Sequence, residues 1–238
     1  MRKVDLRLAA IGVLVQICLA GAALEARGQA GKAAYPAMAP VDAYLIADRN
    51  AEIALARSAA PKSIGDGAEV MVLGKQGFTT AVKGTNGFLC LVERSWANPT
   101  EDSEFWNPKN RAPICFNAAA ARSFVPIFLM KTKLVLEGKS RTEILAATSA
   151  ALDNGELPAL EPGAMCYMMS KQQYLNDRDK SWHPHVMVFA AGDAGKSWGA
   201  DKDDSPVIYT NDPEERVTVF MFWVANWSDG SAAPMMEH

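Results

Sequence analysis

From residue 41 onward the apolar positions follow two rhythms, and the change between them divides the chain into elements. Residues 41–59 carry Leu45, Ile46, Ile53 and Ala54 at helical spacing. They contain no Gly or Pro and stop short of Pro61, which predicts a first helix. Residues 69–73, 78–83 and 88–96 are β-rich runs. The second and third are joined by Gly84-Thr85-Asn86-Gly87, where Asn-Gly tolerates positive φ and signals a hairpin. In the third run, alternation sets Phe88, Cys90, Val92, Arg94 and Trp96 on one face, and Leu89, Leu91, Glu93 and Ser95 on the other. A three-stranded antiparallel meander is the expected product.

Residues 98–113 hold three prolines and the acidic group Glu101, Asp102 and Glu104 around Phe105-Trp106. They read as a long irregular loop pinned by those two rings. Asn117 is an N-cap for residues 118–123. Residues 126–137 suit a helix ending at Gly138, although their β-branched content leaves a strand open. Ser140 and Glu143 have capping-box spacing, followed by Ile144, Leu145, Thr148, Ala151 and Leu152 on one helical face, with Gly155 closing the helix. Residues 164–169, 185–190, 206–210 and 217–225 return to strand character. The last is apolar on both faces, as in a central strand covered on both sides. Strands, then helices, then strands predict an α+β fold: an antiparallel β-sheet, made of the N-terminal meander plus C-terminal strands, with packed helices. No internal repeat or long linker interrupts residues 41–238, which are expected to form a single domain.

The N-terminus follows different rules. Arg2, Lys3 and Arg7 precede an apolar run over residues 8–20, which ends in Ala20-Gly21-Ala22. That order marks residues 1–22 as a signal peptide, since a membrane anchor needs about 20 apolar residues and this run is shorter. Residues 23–40, rich in Ala, Gly and Pro, read as a flexible linker. The mature chain is thus expected to be exported, periplasmic or extracellular, with no transmembrane segment. Cleavage removes three basic residues and one acidic residue, taking the net charge from −3 to −5. That balance, with no basic cluster, argues against nucleic acid as a partner. With 49% hydrophobic and 21% charged residues, the composition is that of a globular protein able to bury its own core.

Export also frames the cysteines. Cys90, Cys115 and Cys166 remain after cleavage; a Cys90–Cys115 disulfide would close the long loop and leave Cys166 as a free thiol. As a nucleophile Cys166 would need a base such as His183 or His185, yet Ala-Met-Cys-Tyr-Met-Met suits a small core hydrophobe.

Trp182-His183-Pro184-His185 is the sharper lead. In an extended segment the two imidazoles share a face, where they could act as an acid/base pair or hold a divalent metal such as Zn. Asp177, Asp179, Glu93 and Cys166 are candidate third ligands. Gly192-Asp193-Ala194-Gly195-Lys196-Ser197 resembles a phosphate loop, but the required first glycine is Ala190 and acidic residues follow, so no nucleotide is expected. Trp96, Trp106 and Trp182 fall at strand ends or in loops, where they could line a ligand site. The reading is a non-catalytic envelope protein, a binding or structural accessory module whose partner is an unknown ligand or another envelope protein. The alternative is an exported metal-assisted hydrolase centred on His183 and His185.

Overall fold

Side-chain caps decide where the helices begin. Asp48 accepts the backbone N–H groups of Asn50 and Ala51, so helix α1 runs Arg49–Arg57, and a single 3-10 turn occupies residues 41–43. The expected start at residue 41 is therefore too early. A four-residue helix, α2 (Lys62–Gly65), follows Pro61. Asn117 caps α3 (Ala118–Ser123), and the next segment is helical, as α4 (Val125–Leu136). Both bonds of the Ser140–Glu143 capping box are present at the start of α5 (Arg141–Asp153). Gly138 and Gly155 take the positive φ values of 78° and 74° that follow helices α4 and α5.

The computed structural model describes residues 34–234, so the expected signal peptide lies outside the described residues. Eight strands form one mixed sheet: β1 (Glu69–Gly74), β2 (Gly77–Val82), β3 (Leu89–Glu93), β4 (Ala112–Phe116), β5 (Met165–Met168), β6 (His185–Ala191), β7 (Ile208–Asp212) and β8 (Val217–Trp223). Their order is β2-β1-β3-β4-β5-β6-β8-β7. The class is α+β, but the N-terminal strands are not a simple meander. β3 lies on the far side of β1 and runs parallel to it, with Glu69 opposite Leu89 and Val70 opposite Cys90.

The reason is local. Residues 83–88 cross beneath the start of β1, where Thr85 N–H donates to the Gly67 carbonyl and Glu69 N–H to that of Phe88. A Cβ on Gly84 would collide with the backbone nitrogen of Glu69. Asn86 does not turn a hairpin. Its amide donates to the Ile64 carbonyl and accepts from Phe88 N–H, tying the crossing to α2.

β4 carries no period-2 signal, and its first two residues, Ala112 and Pro113, fall in the expected loop over residues 98–113. Cys90 and Cys115 are directly opposite with their Cα atoms 4.0 Å apart, the spacing of a non-hydrogen-bonded pair. Pro113, two residues away, is therefore also non-hydrogen-bonded to β3, and its missing N–H faces β5. There the ladder reaches only Cys115 and Phe116, so no bond is lost. The Cys90–Cys115 disulfide is formed; closing a loop 25 residues long, it contributes roughly 3.5 kcal/mol on a chain-entropy basis.

Strand alternation sends Val70, Val72, Cys90, Val92 and Cys115 against α1, and Leu91, Ile114, Phe116, Cys166 and Met168 toward the other face, with Phe128, Val135 and Ile144. Trp96 belongs to that second set rather than to the Cys90 face. β3 ends at Glu93 and a 3-10 turn over Ser95–Ala97 breaks the alternation. The expected flexible linker is packed from Tyr35 on: Met38 and Ala39 touch the core, and the Tyr35 hydroxyl donates to Asp177 at 2.6 Å. Asp177 also accepts from Tyr174, Lys109 and Asn107. These donors, Tyr174 first, hold its carboxyl well below the usual range.

One buried ion pair joins the layers. Arg94 Nη2 donates to Glu52 Oε1 at 2.8 Å, its Nε to the Tyr44 carbonyl and its Nη1 to that of Val92, while Glu52 also accepts Leu73 N–H. Both side chains are sealed from solvent, so α1, β1 and β3 are tied through charges that have no alternative partner in water. Glu52→Ala is expected to lower stability by about 3–5 kcal/mol by stranding the guanidinium. Urea denaturation should show a lower midpoint at unchanged m-value; a shift equivalent to under about 1 kcal/mol would mean that the pair does not carry this burial.

Candidate functional site

The helices cover the sheet unevenly. α1 packs on β1, β3 and β4, α3 on β4 and β5, and α4 on β2. Beyond them β6, β8 and β7 carry the sheet onward, and a cleft opens over that inner face. It has two chambers, which share Glu93, Ala97, Asn98, Met187 and Met221 as their common wall. The inner chamber, about 230 Å³, is lined by Ile114, Phe124, Phe128, Phe189 and Val219, together with Thr210, Asp212 and Glu215. The outer one, about 430 Å³, is lined by Arg94, Asp102, Asn110, Asn176, Trp182 and His185. Register explains the convergence: Glu93 pairs with Ala112, Met187 with Met221, and Phe189 with Val219, so alternate residues of β3, β6 and β8 point into the gap.

The turn between β7 and β8 closes the inner end with three consecutive side chains. Glu214 accepts the backbone N–H and hydroxyl of Thr100 in the long loop. Glu215 accepts from Lys131 Nζ on α4 at 3.1 Å, and Arg216 donates to Asp153 on α5 at 2.6 Å. Lys131 is itself buried and also donates to the Asn98 carbonyl. The long loop is held further by Arg141, which donates to the carbonyls of Thr100 and Asp102 and lies over the rings of Phe105 and Trp106.

Glu93 stands between the chambers. Its side chain is half-buried and lines both of them. Burial, reinforced by the nearby Glu215 carboxylate and only partly offset by Lys131, raises its pKa to about 8. Burial raises the Glu215 pKa too, with Lys131 opposing. Two carboxyls thus share one ammonium, and at neutral pH Glu93 keeps its proton. His185 is 2% exposed; burial lowers its pKa, so the ring is neutral. Its Nδ1 lies 2.7 Å from the His183 carbonyl and donates to it, which leaves Nε2 as an acceptor. Asn110, 4% exposed, donates its Nδ2 to the Leu175 carbonyl at 2.6 Å. That bond fixes the amide orientation and leaves Oδ1 with no partner among the described residues.

The residues singled out in the sequence are dispersed. His183 and His185 do not present a common pair of rings: His183 stacks on Trp223 with centroids 5.6 Å apart, whereas His185 meets Trp182 edge-on in the outer chamber. Among the described residues no three His, Cys, Asp or Glu side chains are grouped to hold a metal ion. Trp182 borders the cleft, but Trp96 and Trp106 are core residues, not ligand-lining ones; the Trp96 indole donates to Thr132 inside the protein. Short caps and a 3-10 turn bend the loops inward there, which exposed-loop reasoning misses. Cys166 is a free thiol sealed in β5, and burial pushes its pKa well up, so it is no nucleophile. The glycine loop after β6 folds onto the back of β8: Ala194 N–H donates to Thr218 and Trp198 stacks on Phe220 at 4.0 Å. Glu93 had entered only as a candidate third metal ligand, and Lys131, Glu215 and Asn110 not at all. Comparison with protein-family models, with curated proteins and with solved structures finds no match for this chain.

The Glu93 proton has a measurable sign. The unfolded chain releases it near pH 4.5 and the folded one near 8, so the folded state binds more protons between those values. Its contribution to stability is full below about 4.5 and is lost as pH rises through about 8. Glu93→Gln, which mimics the protonated acid, should gain on the wild type by several degrees in Tm between pH 5 and 8.5. A constant difference across that range would show that the carboxyl is not desolvated.

Proposed function

We propose that this chain is an exported binding protein that holds a small amphiphilic ligand in the two-chambered cleft. The supporting observation is the juncture at Glu93, where an apolar chamber lined by phenylalanines opens into one edged by polar side chains. Ligand sites are concave and mostly apolar, with a few placed polar groups and perturbed carboxyls, and typically enclose about 300–1,000 Å³. Methionines at the wall suit a ligand of variable shape, because the unbranched side chain adapts to what it touches. Export is supported by the basic-then-apolar N-terminus and by the disulfide, which persists in oxidising compartments. No helix among the described residues is long and apolar enough to cross a membrane.

The test uses N-phenyl-1-naphthylamine, a neutral apolar fluorophore. Its emission should rise saturably with the wild-type protein, with a dissociation constant in the micromolar range. Met221→Trp, which fills the wall common to both chambers, should weaken binding at least about tenfold without loss of Tm. Equal binding to both proteins would place the probe outside the cleft and defeat the proposal. Stoichiometric metal in the purified protein, removed by His185→Ala, would instead favour the metal-assisted hydrolase centred on His183 and His185.

A further inference from the structure

The outer chamber offers acceptors and withholds cations. Arg94 lines it, but its guanidinium is spent on Glu52, Tyr44 and Val92. Lys131, behind the wall, is spent on Glu215 and Asn98. What remains unpaired among the residues lining it is the His185 Nε2 and the Glu93 carboxyl, while the Asn110 Oδ1 is sealed from solvent and without a partner among the described residues. Asp102 adds a further negative charge at the rim. The available donors there, the Asn98 amide, the Trp182 indole and the protonated Glu93 carboxyl, are neutral. An anionic head placed in this chamber would lose its hydration and find no charge in return, a cost of several kcal/mol for a buried unpaired ion. A head rich in N–H groups would satisfy the His185 Nε2 and, once it is ionised, the Glu93 carboxylate.

We infer that the outer chamber selects an amine: a ligand with an apolar body that enters as an ammonium ion and pairs with Glu93. The inference rests on the cleft being a ligand site and names the chemistry of the ligand's polar end. Proton balance follows. The ammonium arrives and stays charged, the Glu93 carboxyl gives its proton to solvent, and the carboxylate so formed accepts N–H bonds from the ligand. The charged groups facing Glu93 are Lys131 from α4 and Glu215 from the β7–β8 turn, with Arg94 next in sequence, just past the end of β3. Asp212 of β7 lines the inner chamber and Asp102 the outer. His185 of β6 is neutral, and Cys166 of β5 is a protonated thiol. Added cationic charge is therefore met by two buried carboxyls that have one counter-ion between them.

Three probes of equal chain length separate the possibilities by isothermal titration calorimetry: octylamine, 1-octanol and octanoate. Octylamine should bind at least about tenfold more tightly than 1-octanol, octanoate should show no saturable heat, and affinity for octylamine should rise from pH 6 to 8. At pH 7, titrations in buffers of different ionisation enthalpy should reveal release of about one proton per octylamine bound. Glu93→Gln, which keeps the size of the side chain, should reduce the preference for octylamine over 1-octanol to under about threefold, with a Tm at pH 7 no lower than that of the wild type. Octanoate binding as tightly as octylamine, a preference that survives in Glu93→Gln, or displacement of octylamine by one equivalent of Zn²⁺ would each overturn the inference while the cleft reading stands. Failure of N-phenyl-1-naphthylamine itself to bind the wild type would remove the cleft reading and the amine with it.

Discussion

Lys131 sets the terms for the rest of the molecule. Its stem lies in the apolar interior of α4 and its ammonium reaches Glu215 and the Asn98 carbonyl, so one charge joins a helix, the β7–β8 turn and the long loop. Burying a charge is costly unless it is paired and hydrogen-bonded, and these two partners meet that condition. The pairing holds the turn against the helical layer while β6, β8 and β7 stand clear of it. That separation is the cleft. The same pairing commits Lys131 to Glu215, and Glu93, a neighbour of both, is left to remain protonated. Shape and electrostatics of the site therefore have a common origin.

Around this point the architecture is built from independent fastenings. The Glu52–Arg94 pair serves the α1 face, the disulfide ties β3 to β4, and Arg141 organises the long loop from α5. Each connects elements far apart in sequence, and each is satisfied by partners that a short segment cannot contain.

That distinction explains what could be read from the residues. Local signals were legible: the Asn117 cap, the Ser140–Glu143 capping box, Gly155, the alternation through β3 and most C-terminal strands depend on neighbours within a few positions. Strand order was not, because Asn86-Gly87 makes a turn signal whether the chain reverses into a hairpin or crosses beneath β1; the choice is made by Ile64 and Gly67, both outside the turn. β4 was hidden by Pro113, whose tolerance depends on how far β5 extends. The site was harder still. Alternation did set Glu93 beside Leu89 and Leu91, an acid on an apolar face, and that was the one available signal. Lys131 within α4 was comparable, but its meaning depends on Glu215, 84 residues further on. His183 and His185 were conspicuous as a pair, yet each ring meets a different tryptophan, His183 stacked on Trp223 and His185 edge-on to Trp182.

The sealed sulfur of Cys166 bears on biogenesis. A free thiol beside a disulfide is a hazard for exchange, since a thiolate can attack an existing bridge. In the finished molecule that sulfur is out of reach and firmly protonated, so native copies are inert toward one another. Only chains still on their way to the native state expose the sulfurs of Cys90, Cys115 and Cys166 at once. Scrambling and covalent cross-linking are thereby confined to a brief interval after synthesis, and the yield of correctly bridged protein becomes a race between closure of β5 into the sheet and encounter with oxidant.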